Sequence, residues 1–101
     1  MERALFSNTY KLKKSANKED FYAAFRSLRE EFVSKQSGFI SWQLMVDGDV
    51  YSDVIVFETM KDLEDFEVAS KEPNPLATAF YSYLNVNSCR TNRFDLVDVL
   101  T

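Results

Sequence analysis

Apolar residues recur along this chain with a period that switches between two and about 3.6, and the order of those switches restricts the fold more than any motif does. Ala4 to Leu12 alternate, with Ala4, Phe6, Asn8, Tyr10 and Leu12 on one face, so the stretch reads as a strand. Asn17 is placed to cap a helix whose apolar stripe is Phe21, Phe25, Leu28 and Phe32. Gly38 is placed to end that helix in a left-handed conformation. Two further alternating stretches follow, joined by the hairpin turn Asp47-Gly48-Asp49. The first carries Ile40, Trp42, Leu44 and Val46 on one face and Phe39, Ser41, Gln43 and Met45 on the other. The second runs from Val50 to Glu58. Thr59 then caps a second helix lined by Leu63, Phe66 and Ala69 or Ser70. Asn74-Pro75 opens a third, with Leu76, Ala79, Phe80, Tyr83 and Leu84 as its stripe. A final strand runs from about Val86 to Leu100.

The order β-α-β-β-α-α-β predicts a single α+β domain spanning residues 1–101. Its fold class is ferredoxin-like: a four-stranded antiparallel sheet with the helices on one face. Those helices cover one side only, yet Leu5, Phe39, Met45, Val54 and Val56 are expected on the other. Burying such side chains is worth roughly 1.5–3 kcal/mol each. Together that is comparable to the ~4–15 kcal/mol that association costs. A homodimer through the sheet faces is the expected partner arrangement; a monomer with scattered surface apolar residues is the alternative.

Charge and composition remove several function classes. The net charge is −4 with both signs interspersed, which argues against nucleic acid as a partner. Lys11, Lys13 and Lys14 are answered by Glu19 and Asp20 and read as a solvated strand end. No stretch approaches the ~20 apolar residues of a membrane span, and the start of the chain has no signal-peptide run. A single cysteine, Cys89, permits no intrachain disulfide. A cytoplasmic, membrane-free protein is expected. Histidine is absent altogether, which removes the commonest general base and metal ligand. Asp47, Asp49 and Asp53 lack the remaining ligands of a calcium loop, and no metal is expected. Cys89 has no histidine to activate it and reads as structural.

Gly38-Phe39-Ile40-Ser41-Trp42-Gln43-Leu44, the turn at Asp47-Gly48-Asp49, and Val54-Ile55-Val56-Phe57-Glu58-Thr59-Met60-Lys61-Asp62-Leu63 resemble the antibiotic biosynthesis monooxygenase family. That resemblance implies a dimeric α+β barrel in which two sheets pack face to face. Ser7-Asn8-Thr9 is similar to the Thr-Asn-Thr stretch of the haem-degrading members, whose Asn is an active-site residue. The chain departs from those members at Ala69, where they carry Trp, and in having no axial His. The resemblance therefore implies the cofactor-free branch: a monooxygenase acting on a small aromatic or polyketide-like molecule, with the substrate anion as electron source. A non-catalytic small-molecule-binding or sensing barrel is the alternative.

The sheet face that meets the helices carries Asn8, Tyr10, Trp42, Tyr51, Asp53 and Phe57, to which the helices add Phe25, Phe66, Phe80 and Tyr83. Such a set forms either an aromatic-lined pocket with few polar groups or a filled core. Asn8 and Trp42 are the catalytic candidates. A mid-strand Asn is costly if buried without partners, and Trp42 offers a broad face with one N–H. Tyr10, Phe57, Phe66, Phe80, Tyr83 and Arg90 are the candidates for substrate binding, Arg90 as a clamp for an anion. The bland readings are core packing for the aromatics and surface pairing of Arg90 and Arg93 with Asp95 or Asp98.

Overall fold

The computed structural model describes residues 2–98. In chain order it contains β1 (Arg3–Leu12), α1 (Lys18–Glu31), a 3₁₀ turn (Val33–Lys35), β2 (Phe39–Asp47), β3 (Val50–Phe57), α2 (Met60–Ala69), α3 (Pro75–Tyr81) and β4 (Leu84–Leu96). The helices start where local chemistry places them. Asn17 Oδ1 accepts the Asp20 amide at 3.0 Å. Thr59 Oγ1 accepts the Asp62 amide at 3.1 Å and donates to the Asp62 carboxylate at 2.9 Å. Asn74 Oδ1 accepts the Leu76 amide at 3.0 Å, with Pro75 at the first helical position. Each cap satisfies a backbone N–H that the helix itself cannot.

The four strands form one antiparallel sheet in the order β2-β3-β1-β4. The sheet is not closed into the expected barrel. Among the described residues β2 and β4 are free edges and no ladder joins them, so the sheet is open. Each edge strand pairs on one side only, β2 with β3 and β4 with β1. The core instead lies between one face of the sheet and the helices. β3 shows the division most plainly: Tyr51, Asp53, Ile55 and Phe57 are buried, while Ser52, Val54 and Val56 are partly exposed on the far side.

Two irregularities re-aim side chains. The β2–β3 register shifts between Phe39 and Ser41. This turns Phe39 to the inner face, against the expectation that it points outward, and its ring meets Phe57 edge-on at 6.3 Å between centroids. The β1–β4 register shifts between Thr9 and Lys11, whose partners are Arg90 and Asn85. The extra residues of β4 bulge opposite Tyr10, bringing Cys89 against the core and Ser88 Oγ to the Lys11 amide at 2.9 Å.

Three element boundaries differ from the sequence reading. α3 ends at Tyr81, and Leu84 is a buried residue of β4. Gly38 does not cap α1, whose C-cap is Phe32. It turns the chain into β2 with φ of +78°, and a Cβ there would run into the Asp62 side chain. Both facts require glycine. β4 ends at Leu96 among the described residues, and the expected continuation to Leu100 lies partly outside them.

Candidate functional site

The helices do not close fully over the sheet. A cavity of about 290 Å³ remains between its inner face, the C-terminal part of α1, α2 and α3. Phe6, Phe66, Phe80 and Ile55 give it apolar walls, and Asn8, Trp42 and Asp53 are the polar groups of its floor. Strand pairing brings those three together. Asn8 and Asp53 are direct cross-strand partners on β1 and β3. Trp42 on β2 faces Ile55, one same-face position from Asp53. Phe25 then packs on the indole at 4.3 Å between centroids and holds its plane.

Asn8 and Trp42 are 5% and 6% exposed. The Asn8 Oδ1 acceptor and the Trp42 Nε1 donor are buried without a hydrogen-bond partner, and no other buried side-chain polar atom is in that state among the described residues. Each such orphan costs ~1–3 kcal/mol. Both occur on one cavity floor, one lacking a donor and the other an acceptor.

Asp53 is the group that dominates the site's electrostatics. It is 2% exposed, and no Lys or Arg pairs with it among the described residues. Its one hydrogen bond of good geometry comes from the Tyr10 hydroxyl, which donates to Oδ2 at 2.8 Å. Burial pushes its carboxyl up to about 6, opposed by the nearby Trp42 N–H and the Tyr10 hydroxyl. Burial and then the Asp53 charge raise the Tyr10 phenol, so it stays protonated and a donor. The Cys89 thiol is raised by burial and by Asp53, with Arg90 acting against it, and is not activated as a nucleophile. Among the described residues no three His, Cys, Asp or Glu side chains gather as a metal site. Asp47 and Asp49 are exposed at the hairpin, apart from buried Asp53, and Asp49 faces Lys11 at 3.5 Å.

The residues singled out from the sequence divide by place. Asn8, Trp42, Phe66 and Phe80 line the cavity. Tyr10 stands behind Asp53. Phe57 is fully buried beneath the lining, its ring 5.2 Å from that of Phe66. Tyr83 faces a separate shallow depression between α1 and α3. Arg90 pairs with Thr9 on the outer face, and its guanidinium donates to the Cys89 carbonyl at 2.8 Å. It does not join the polar groups of the cavity. Arg93 binds neither Asp95 nor Asp98 but Glu67 of α2 at 3.1 Å, tying β4 to the helix layer. Asp53 is the site residue that sequence reasoning passed over. Its signal was a carboxylate in the alternation Tyr51-Asp53-Ile55-Phe57, where every neighbour on that face is apolar.

The sequence profile of the antibiotic biosynthesis monooxygenase family matches residues 7–79, and the chain belongs to that family. Among solved structures it is similar to SnoaB, a cofactor-independent oxygenase from Streptomyces nogalater: 21% identity, 99% of this chain and 98% of that one covered, TM-score 0.77. A dimeric ferredoxin-like protein from an uncultured marine organism matches with 16% identity, 100% and 93% coverage and a TM-score of 0.69. A heme-degrading protein from Mycobacterium tuberculosis matches with 17% identity, 99% and 97% coverage and a TM-score of 0.62. At these identities the likeness is one of fold. No curated protein matches the chain. No helix among the described residues is long and apolar enough to cross a membrane.

The raised carboxyl has a consequence for stability. An Asp in the unfolded chain ionises near 3.8, and Asp53 in the folded state near 6. Folding therefore gains from the neutral form below pH 4, and that gain is lost as pH rises through 6, by on the order of 3 kcal/mol. Asp53→Asn keeps an acceptor for Tyr10 and carries no charge. Urea denaturation should find it more stable than the parent at pH 8, by ~1–3 kcal/mol, with the gap closing at pH 4. A variant less stable than the parent at pH 8 would contradict this account of the site.

Proposed function

We propose that the protein is a cofactor-independent monooxygenase acting on a small aromatic, polyketide-like molecule. The observation that carries this reading is the pair of orphaned groups, Asn8 Oδ1 and Trp42 Nε1, on the floor of an apolar cavity. A planar substrate with a hydroxyl and a carbonyl satisfies both: Asn8 accepts from the hydroxyl and Trp42 donates to the carbonyl oxygen. Once the substrate loses a proton, negative charge gathers on that oxygen, and a donor fixed in a dry site stabilises it far more than water would. The anion is then the reductant for dioxygen. For a ring methylene the balance is CH₂ plus O₂ giving C=O plus H₂O, so the carbon supplies all four electrons. Membership of the family and the fold shared with SnoaB support this class of chemistry.

An oxygen electrode with dithranol, a dihydroxyanthrone, tests the reading. The parent should consume oxygen well above the uncatalysed rate. Asn8→Ala and Trp42→Phe should each lower kcat/KM by ~10²-fold. Binding of dithranol without oxygen uptake would favour a non-catalytic binding module instead.

The same reading makes the protein a homodimer through the outer sheet face. Leu5, Val54 and Val56 are only partly covered there, and Met45 and Phe94 are 47% and 51% exposed. An apolar surface of this kind on a small domain marks an interaction site. Analytical ultracentrifugation at micromolar concentration should give a dimer, and Val54→Lys with Val56→Lys should give a monomer. A parent chain that sediments singly contradicts the assignment.

A further inference from the structure

The geometry points to Asp53 as the catalytic base of this cavity, taking its proton from a substrate that enters uncharged. The assignment rests on the oxygenase reading and supplies the step that reading leaves open. Three observations carry it. The carboxylate lines the cavity directly and lies beside both orphaned groups, so a substrate bound to Asn8 and Trp42 lies against it. It is buried with no cation to pair with among the described residues, which is an unusual state for a structural aspartate. The one group bonded to it, Tyr10, donates to Oδ2 and fixes the carboxylate's orientation.

The other titratable groups around it do not compete. Tyr10 on β1 and Cys89 on β4 are both raised, so each keeps its proton near neutrality. Tyr81 on α3 stands half exposed at the rim and is raised as well, by burial of its inner part and by Asp53's charge. Glu67 on α2 is held by Arg93 at 3.1 Å, and Lys71 after α2 lines the mouth of the cavity. The carboxyl near 6 is ionised at neutral pH and still basic enough to take a proton.

The same charge selects the substrate class. A carboxylate or phosphate ligand would bring a second negative charge beside Asp53 in an apolar chamber, where repulsion is strong. A neutral carbon or oxygen acid, with its conjugate base delocalised onto a carbonyl oxygen, avoids that cost until the proton moves. In the step itself the substrate C–H bond breaks, its electron pair stays on the substrate as the enolate, and an O–H bond forms on Asp53. Dioxygen adds to the carbanion. Asp53 returns the proton to the resulting peroxide and, a carboxylate again, takes the second C–H proton; that electron pair forms the C=O bond, the O–O bond breaks, and the departing hydroxide leaves as water with the proton from Asp53.

Anaerobic hydrogen–deuterium exchange at the methylene of anthrone, followed by proton NMR in D₂O, isolates the proton step from the oxygen step. The parent should accelerate exchange over buffer, with a rate that rises through pH 6. Asp53→Asn should lose ~10²-fold or more of that acceleration, and Asp53→Glu should regain part of it. Tyr10→Phe removes the donor to the charged carboxylate and should move the pH profile upward. Circular dichroism on each variant verifies the fold. Parental exchange rates in Asp53→Asn would overturn the base assignment, as would oxygen uptake by the parent without catalysed exchange; in both cases the oxygenase reading stands. Neither exchange nor oxygen uptake with anthrone and dithranol would overturn both.

Discussion

A carboxylate occupies one of the four inward positions of β3, where Tyr51, Ile55 and Phe57 fill the other three with apolar bulk. That placement is the constraint on which the site depends. An ionised Asp in this layer loses its water and gains in return one hydrogen bond, from a phenol hydroxyl at 2.8 Å. The exchange is unfavourable, and burial raises the carboxyl accordingly. A small domain has a margin of only ~5–15 kcal/mol. The surrounding aromatic packing must therefore offset a deficit that an apolar residue at position 53 would not create. Two further unsatisfied polar atoms add to it. These costs are concentrated on one cavity floor, where a well-filled core would carry none of them.

The rest of the architecture serves to hold that floor. Register between β1 and β3 sets Asn8 opposite Asp53, and a slip of one residue would send either of them to the outer face. Phe25 from α1 and Phe80 from α3 brace the indole of Trp42 from above. The cluster of Tyr10, Phe21, Tyr51 and Phe80 anchors the sheet beside the cavity through edge-on and stacked contacts of 5.4 to 6.4 Å. The break between α2 and α3, set by the Asn74 cap and Pro75, keeps the two helices from closing over the floor as one rod. Arg93 fastens the α2 side of the roof to the edge strand β4.

Much of this was legible in the sequence, and the divide follows the range of the interactions. Caps at Asn17, Thr59 and Asn74, the hairpin at Gly48 and the alternation of β1 and β3 depend on a few neighbouring residues, so they could be read directly. The antiparallel ferredoxin-like order followed from them. Asn8 and Trp42 could be put on the inner sheet face, and Phe66 and Phe80 on the helix stripes that meet it, because strict alternation and helical spacing hold where they lie. What could not be read were the interruptions. The bulge beside Phe39 turns that ring inward, and the longer bulge in β4, between Asn85 and Arg90, brings Ser88 to the Lys11 amide. The placement of Tyr83 turned on where α3 stops, a boundary fixed by the start of β4. The open sheet in place of a barrel was hidden for a related reason: closure is a property of how many strands meet, while local pattern records only that each strand has two faces. Asp53 was visible as a residue of the inner face. Its weight appears only when it is seen to have, among the described residues, no cation paired with it and two orphaned groups around it.

Desolvation holds the Asp53 carboxyl poised to change charge just below neutrality. Carbon-13 NMR of the side-chain carboxyl, titrated in the free protein, tests that claim most directly. A midpoint near 6 for Asp53 is the predicted result. A midpoint near 3.8, where an ordinary aspartate titrates, would contradict it.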